Sequence, residues 1–119
     1  MTQLCRQPNV KRDVEFCDQT CRAARSACRN LAEGFARYGH PDFARFVIIA
    51  YASLGELRDG LDEALEKGYI DAPQFKELDR EIDGAMKSAN GLRRYLQNSP
   101  TPKEHLEYGP NARTEPEST

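Results

Sequence analysis

The sequence predicts an all-α protein, an antiparallel up-and-down helical bundle of three long helices. Apolar and small residues recur at steps of three and four over three long stretches, the spacing that keeps one side of an α-helix apolar. Glycine and proline interrupt this spacing around Gly39 and Gly68. Because the connections at these two places are short, consecutive helices are expected to lie side by side and antiparallel.

The first long helix is predicted to run from about Asn9 to Tyr38. Asn9 is a suitable N-cap, and Gly39 can close the helix in the left-handed conformation. The stripe predicted to face the core consists of Val10, Val14, Cys17, Cys21, Ala24, Cys28, Leu31 and Phe35.

The second helix is predicted to begin near Pro41, because a proline in the first turn loses no hydrogen bond, and Asp42 complements the helix dipole there. It should end at Lys67, with Gly68 as its C-capping glycine. Its core stripe consists of Phe43, Val47, Ala50, Leu54, Leu57, Leu61 and either Ala64 or Leu65.

The third helix is predicted to begin after Asp71, which forms a capping box with Gln74, and to end near Asn98. The predicted bundle domain therefore spans residues 1–98. Residues 99–119 form a polar, proline-rich tail, in which Thr101–Tyr108 is suited to a short C-terminal helix and the remainder to disorder.

Composition limits the function. The chain has 119 residues, the size of one domain, with 39% hydrophobic and 30% charged residues. The net charge of −2 argues against unspecific binding of nucleic acid by bulk charge. Neither an apolar run of roughly 20 residues nor a secretory signal is present, so we expect a cytoplasmic protein without a membrane segment.

Four apolar residues of the second helix lie off its main stripe: Phe46, Ile48, Ile49 and Tyr51. A helix that is apolar on more than one side must be covered by more than its two neighbours. The N-terminal residues, the tail or another copy of the chain are the candidates. We favour another copy, which makes these four residues the predicted oligomer interface.

Several segments together carry a resemblance to a known family: Asn30–Phe35 (NLAEGF), Phe43–Phe46 (FARF), Ser53–Leu57 (SLGEL) and Glu63–Ile70 (EALEKGYI). Over roughly residues 21 to 96 the chain resembles the bacterial four-helix-bundle family, also called 23S rRNA intervening-sequence proteins. The resemblance implies an up-and-down bundle that assembles into a homopentamer and has no established catalytic activity. It also implies a relation to retroelement accessory proteins, which bind nucleic acid. Because only 21 residues precede the matching segment, the family's first helix is expected to be shortened or merged.

The four cysteines raise the question of a metal site. Cys17, Cys21 and Cys28 share the predicted core stripe, and Cys5 could fold back against them. Structural zinc usually needs two closely spaced cysteine pairs, and the sequence has no clear second pair. Buried free thiols are therefore the favoured interpretation, metal or redox function is the alternative, and we predict neither a metal nor a cofactor.

Five polar residues of the resembling region are predicted to form a structural network: Asn30, Glu33, Arg45, Ser53 and Glu56. Glu33 and Glu56 are carboxylates, which can perform acid–base chemistry when paired near an apolar pocket. No nucleophile with a base and no phosphate-binding loop accompanies them. We therefore predict no enzymatic activity, and interpret the five as hydrogen bonds and salt bridges that fix helix register.

A basic ridge of Arg22, Arg25 and Arg29 lies on one side of the first helix. A solvated surface, or one paired with acids of the second helix, is the favoured interpretation, and a strip that contacts phosphates is the alternative. We therefore predict a non-enzymatic homo-oligomeric assembly or adaptor protein, whose main partner is itself. The alternative is a nucleic-acid-binding accessory factor, with nucleic acid or an unidentified protein as its partner.

Overall fold

The computed structural model describes residues 2–37 and 39–100. No strand occurs within these ranges, which confirms the all-α class. The described residues form α1 (Thr2–Cys5), α2 (Pro8–Lys11), α3 (Val14–Phe35), α4 (His40–Glu66) and α5 (Ala72–Asn98).

The three long helices form a flat layer with α4 in the middle. Both α3 and α5 pack along α4, while contact between α3 and α5 is at most marginal. The backbone extends over 52 × 26 × 15 Å along its principal axes, so the molecule is elongated and flat. One consequence is that α4 has neighbours on two opposite sides, and its other two sides need a different cover.

The N-terminal segment, defined here as residues 2–11, covers part of one side of this layer. Leu4 and Val10 are buried in one apolar cluster with Phe16 of α3 and Leu61 of α4. The cluster also contains Ile82 of α5, while the main backbone contact of the segment is with α3. The segment is confined to the part of the layer near the α4–α5 turn, whose residues Ala64 and Ile70 belong to the same cluster.

The prediction of one continuous helix from Asn9 to Tyr38 was wrong at its start. Asn9 lies inside α2, and a new helix begins after Asp13, whose Oδ1 accepts a hydrogen bond from Phe16 N at 3.1 Å. An aspartate that bonds the backbone three residues ahead offers a helix start instead of helix continuation. The break allows α2 to fold back over α3.

The predicted end of that helix was also wrong. The last residue of α3 is Phe35, and its C-cap, Ala36, keeps a right-handed helical conformation. Gly39 has a φ of −104° and serves instead as the N-cap of α4. Because α4 begins directly after it, Gly39 opens the second helix rather than closing the first. Tyr38 lies outside the described residues.

The predicted core stripe of the first helix was displaced by about one residue. Val14 and Phe35 are exposed, and Cys28 is exposed as well. The residues buried along α3 are Phe16, Thr20, Ala23, Ala27 and Gly34. The displacement has a physical reason: α3 turns a stripe of mostly small residues towards α4, and only the first part of the predicted stripe lies beneath the N-terminal segment.

The predictions for the other two long helices are confirmed. Pro41 and Asp42 lie in the first turn of α4, which ends at Glu66 before Gly68, the only described residue with a positive φ (+77°). Asp71 caps α5 through a complete capping box with Gln74, with bonds of 2.8 and 3.0 Å. The proposed tail helix Thr101–Tyr108 lies outside the described residues. Within the described ranges, no helix combines the length and apolar character needed to span a bilayer.

Candidate interaction surfaces

One stripe on α3 is covered at one end and uncovered at the other. Cys17 and Ala24 pack against the cluster that contains the N-terminal segment. Steps of four and three continue this stripe to Cys28, Leu31 and Phe35, which we call the open stripe. Leu31 is half-buried, Cys28 is exposed, and Phe35 has 69% of its surface accessible. The stripe therefore stays apolar beyond the point where the N-terminal segment stops covering it.

Residues of α4 and α5 extend the apolar surface beside the open stripe. Leu31 of α3 and Leu92 of α5 both pack against the cluster that contains Val47 of α4. The ring of Phe35 lies 5.0 Å from that of Phe43. These apolar side chains lie in the half of the layer that the N-terminal segment does not reach.

The four predicted interface residues do not form one patch. Ile48 and Ile49 are 43% and 47% exposed and lie side by side, and we call them the Ile48–Ile49 patch. Tyr51 is 40% exposed but lies roughly 160° around the helix axis from Ile49. Phe46 is half-buried, with the Arg37 guanidinium 5.0 Å from its ring centroid. Their role as an interface stays a prediction.

A short polar layer joins α3 to α4. The hydroxyl groups of Ser26 and Ser53 share a hydrogen bond of 2.7 Å, and Asn30 Nδ2 donates to Ser26 O at 2.8 Å and to Ser26 Oγ at 3.2 Å. The structure therefore brings together two of the five predicted network residues through Ser26. Sequence reasoning missed Ser26, although its position one turn before Asn30 was a usable signal.

The other three predicted network residues lie elsewhere. Glu33 pairs with Arg37, two residues beyond the end of α3, at 3.5 Å, and Arg45 pairs with Asp42 at 3.6 Å. Glu56 is exposed and lines a cleft described below. Since Glu33 and Glu56 make no contact with each other, no carboxylate pair arises here that would suit acid–base chemistry.

Two glycines allow the helices to approach closely. A Cβ on Gly34 would lie 2.7 Å from Phe43 Cδ1 and 3.2 Å from Phe46 Cβ. A Cβ on Gly60 would overlap the Cγ2 methyl group of Thr20. The packing of α3 on α4 therefore depends on the absence of a side chain at both positions.

The basic ridge borders a charged cleft of about 560 Å³ between α3 and α4. Arg22 and Arg29 line one wall, and Glu56, Asp59 and Glu63 line the other. Within the described ranges no ion pair joins the two walls, because Arg22 bonds Asp18 at 2.7 Å and Glu63 bonds Lys67 at 2.6 Å. The mixed charge makes this cleft a poor site for a polyanion, while Arg25 lies outside it and is exposed.

Three of the four thiols come together under the N-terminal segment. Cys21 Sγ lies 3.9 Å from Cys5 Sγ, and Cys17 Sγ donates to Val10 O at 3.4 Å. Burial raises the pKa of Cys5 and of Cys21 above the usual value of 9.0. Cys28 is exposed, so its prediction as a buried thiol was wrong. Among the described residues, no group of three or more potential ligands is arranged to hold a metal ion.

An ionic contact that the sequence did not suggest fixes the start of α3. Asp13 Oδ2 accepts hydrogen bonds from Lys67 Nζ at 2.8 Å and from Tyr69 Oη at 2.7 Å. These donors, together with the backbone N–H of Phe16, lower the pKa of Asp13 to about 2. The hydrogen bond that each donor makes to Asp13 raises the pKa of Lys67 and of Tyr69 in turn. Asp13 thereby ties the start of α3 to the end of α4.

A second ionic cluster fastens α5 to α4. Arg58 forms two hydrogen bonds with Asp79, at 2.8 and 3.1 Å, and one with Asp83 at 3.4 Å. Lys87 approaches Asp83 at 3.0 Å, and this bond is the main cause of the lowered pKa of Asp83. The cluster holds register between the helices and contains no group suited to nucleophilic chemistry.

Comparison with known proteins gives one finding. The family model described as 23S rRNA-intervening sequence protein matches residues 1–91, which is most of the chain. Neither the curated proteins nor the solved structures contain a significant match.

Proposed function

The chain belongs to the 23S rRNA-intervening sequence protein family, and we propose that it is a non-enzymatic, homo-oligomeric assembly or adaptor protein of the cytoplasm. The observation that carries this proposal is the apolar surface that a single chain leaves uncovered. The open stripe and the Ile48–Ile49 patch both expose large apolar side chains. Contiguous apolar surface of this kind marks an interaction site more often than a solvated surface.

The arrangement of the two surfaces supports a ring, and by family resemblance we propose five subunits. A closed ring needs a head-to-tail interface, in which each subunit presents two different surfaces to its two neighbours. The Ile48–Ile49 patch on α4 and the open stripe on α3 are two such surfaces. In the proposed assembly, Ile49 of one subunit packs against Phe35 of the next.

Two aspartate substitutions test this arrangement by native mass spectrometry. Ile49→Asp and Phe35→Asp each place a charge in one of the two surfaces, and each variant is expected to be monomeric. Gln19→Asp is the matched control, because it places the same side chain at an exposed polar position of α3 and should keep the assembly. If Ile49→Asp left the native mass unchanged, the assigned interface would be wrong.

Mixing the two variants distinguishes a head-to-tail interface from a symmetric dimer. Ile49→Asp retains an intact open stripe, and Phe35→Asp retains an intact Ile48–Ile49 patch. A head-to-tail interface predicts that the mixture forms a heterodimer that cannot extend, although each variant alone is a monomer. A variant that remains a homodimer on its own would instead indicate a symmetric interface and would refute the ring.

A second candidate function, nucleic-acid binding, is favoured by one observation. Arg25 lies outside the mixed-charge cleft, is exposed and forms no ion pair within the described ranges, so its charge is available to phosphates. Anisotropy of a labelled RNA tests this candidate, since phosphate contacts give binding that weakens steeply with salt. Arg25→Gln should then reduce binding, while Arg80→Gln on α5 serves as the control. No binding at low salt would remove this candidate.

A further inference from the structure

The N-terminal segment has a pair of thiols where it meets α3. Cys5 is the last residue of α1, and Cys21 lies one turn beyond Cys17 on α3. Their sulfur atoms are 3.9 Å apart, and Cys5 Sγ is also 3.8 Å from Thr20 Oγ1. All cysteines of the chain are free thiols. The two sulfur atoms are therefore already in van der Waals contact.

We propose that Cys5 and Cys21 form a reversible disulfide that fastens the N-terminal segment over α3. A disulfide bond is about 2.05 Å long, so the sulfur atoms must approach by roughly 2 Å. Cys5 can make this movement because α1, which has only four residues, can shift as a whole. Rotation about the Cβ bond of each cysteine supplies part of it. This inference goes beyond the proposed assembly and does not depend on it.

The other two cysteines are poorer partners. The Cys17 thiol donates to Val10 O at 3.4 Å and to Cys5 O at 3.9 Å, and it would have to give up both backbone partners to form a disulfide. Cys28 lies seven residues beyond Cys21 on the same helix, about 10 Å along its axis. A bond between two cysteines of α3 would not join different elements. The geometry therefore selects Cys5 and Cys21.

The reaction is thiol–disulfide exchange with a small disulfide such as oxidised glutathione. The thiolate of Cys5 or Cys21 attacks one sulfur atom of the reagent and releases one molecule of the reduced thiol. The thiolate of the other cysteine then attacks the protein sulfur of this mixed disulfide and releases the second. The two protein thiols lose two electrons and two protons in total, and the reagent gains them.

The disulfide would change how firmly the N-terminal segment is held. In the reduced protein, Leu4 and Val10 hold the segment through apolar contacts. The disulfide closes the chain between residues 5 and 21 into a loop that stays attached when those contacts open. The covered part of the α3 stripe, which includes Cys17 and Ala24, would then stay covered.

Peptide mapping of the oxidised full-length chain tests the proposal. After treatment with oxidised glutathione, the intact mass should fall by two hydrogen atoms, and trypsin should release Met1–Arg6 linked to Asp13–Arg22. Because the second peptide contains both Cys17 and Cys21, the variants Cys17→Ser and Cys21→Ser decide between them. Cys17→Ser should retain the link, and Cys21→Ser should lose it while keeping its helical circular dichroism.

Hydrogen exchange supplies the second measurement. Oxidation should slow exchange of the amides of residues 2–11 severalfold, and a reducing dithiol should restore the original rate. Two results would overturn the proposal: a link that persists in Cys21→Ser, or oxidised protein in which only glutathione adducts or links between chains are found. If the disulfide-linked protein exchanged the amides of residues 2–11 as fast as the reduced protein, the disulfide would not hold the N-terminal segment more firmly.

Discussion

Replacement of Gly60 by alanine tests the close packing of α3 on α4. The added Cβ would lie closer to Thr20 Cγ2 than 3.0 Å, so one of the two helices or the threonine must shift. Thr20 is buried, and its hydroxyl group donates to Phe16 O at 2.9 Å. That hydrogen bond resists rotation of the threonine, so its methyl group cannot simply turn away.

The expected magnitude follows from two opposing effects. Alanine in place of glycine within a helix contributes about 1 kcal/mol of stability, and overpacking of a well-filled core costs about 1–3 kcal/mol. Gly60→Ala should therefore lower the free energy of unfolding by about 1 kcal/mol, which corresponds to a melting temperature lower by roughly 4 °C for a chain of this size. Urea unfolding followed by circular dichroism measures the change.

Thr20→Ser reverses the expected sign. Serine lacks Cγ2, and the next nearest atom, the Cβ at position 20, would lie 3.7 Å from the new methyl group, an ordinary van der Waals distance. In that background Gly60→Ala should raise stability by about 1 kcal/mol. Gly84→Ala on α5 is the control, because nothing lies within 4 Å of its Cβ. If Gly60→Ala alone stabilised the protein as much as Gly84→Ala, the close-packing argument would be refuted.

Three further predictions concern the polar contacts. The pKa of Asp13 is lowered from 3.8 to about 2, so its contribution to stability is present above pH 3.8 and is lost as the pH falls towards 2. Asp13→Asn should therefore remove this part of the acid dependence of the melting temperature. Arg58→Lys keeps the charge but loses the two-bond geometry with Asp79, and should lower the melting temperature, whereas an unchanged value would show that charge alone suffices. Ser53→Ala removes a buried partner of Ser26 and should cost about 1–2 kcal/mol in urea unfolding.

Local signals sufficed to predict α4 and α5. Gly68, Asp71 and Gln74 act through conformations and hydrogen bonds within a few residues, which can be recognised in the sequence. The break before α3 could not be predicted in the same way. Asp13 caps α3 locally through Phe16 N, but Phe16 cannot complete a capping box as Gln74 does for Asp71, and the other holders of this carboxylate, Lys67 and Tyr69, are more than fifty residues away.

The face of α3 that packs on α4 could not be identified from spacing alone. Two neighbouring stripes on this helix have the same periodicity, and the one with cysteine, leucine and phenylalanine is more apolar than the one with Thr20, Ala23 and Ala27. The smaller residues face α4 because they allow a short distance between the helices. The larger ones lie partly under the N-terminal segment and end in the exposed Phe35.

Candidate surface residues are predictable from sequence only in part. The off-stripe positions of Ile48 and Ile49 correctly indicated that the two neighbours of α4, α3 and α5, leave these side chains exposed. The basic ridge was visible too, but the acidic wall opposite Arg22 and Arg29 depends on the register of α3 against α4. Register is a tertiary property, which the spacing of residues along one helix does not determine.

Native mass spectrometry of the unmodified protein tests the central claim most directly. The proposed assembly predicts one closed species with the mass of five chains, without bound metal or nucleic acid. A monomer at micromolar concentration would contradict the proposal, because the open stripe and the Ile48–Ile49 patch would then be exposed surfaces that bind no second copy. A species that carries nucleic acid would favour the basic ridge and the accessory-factor function instead.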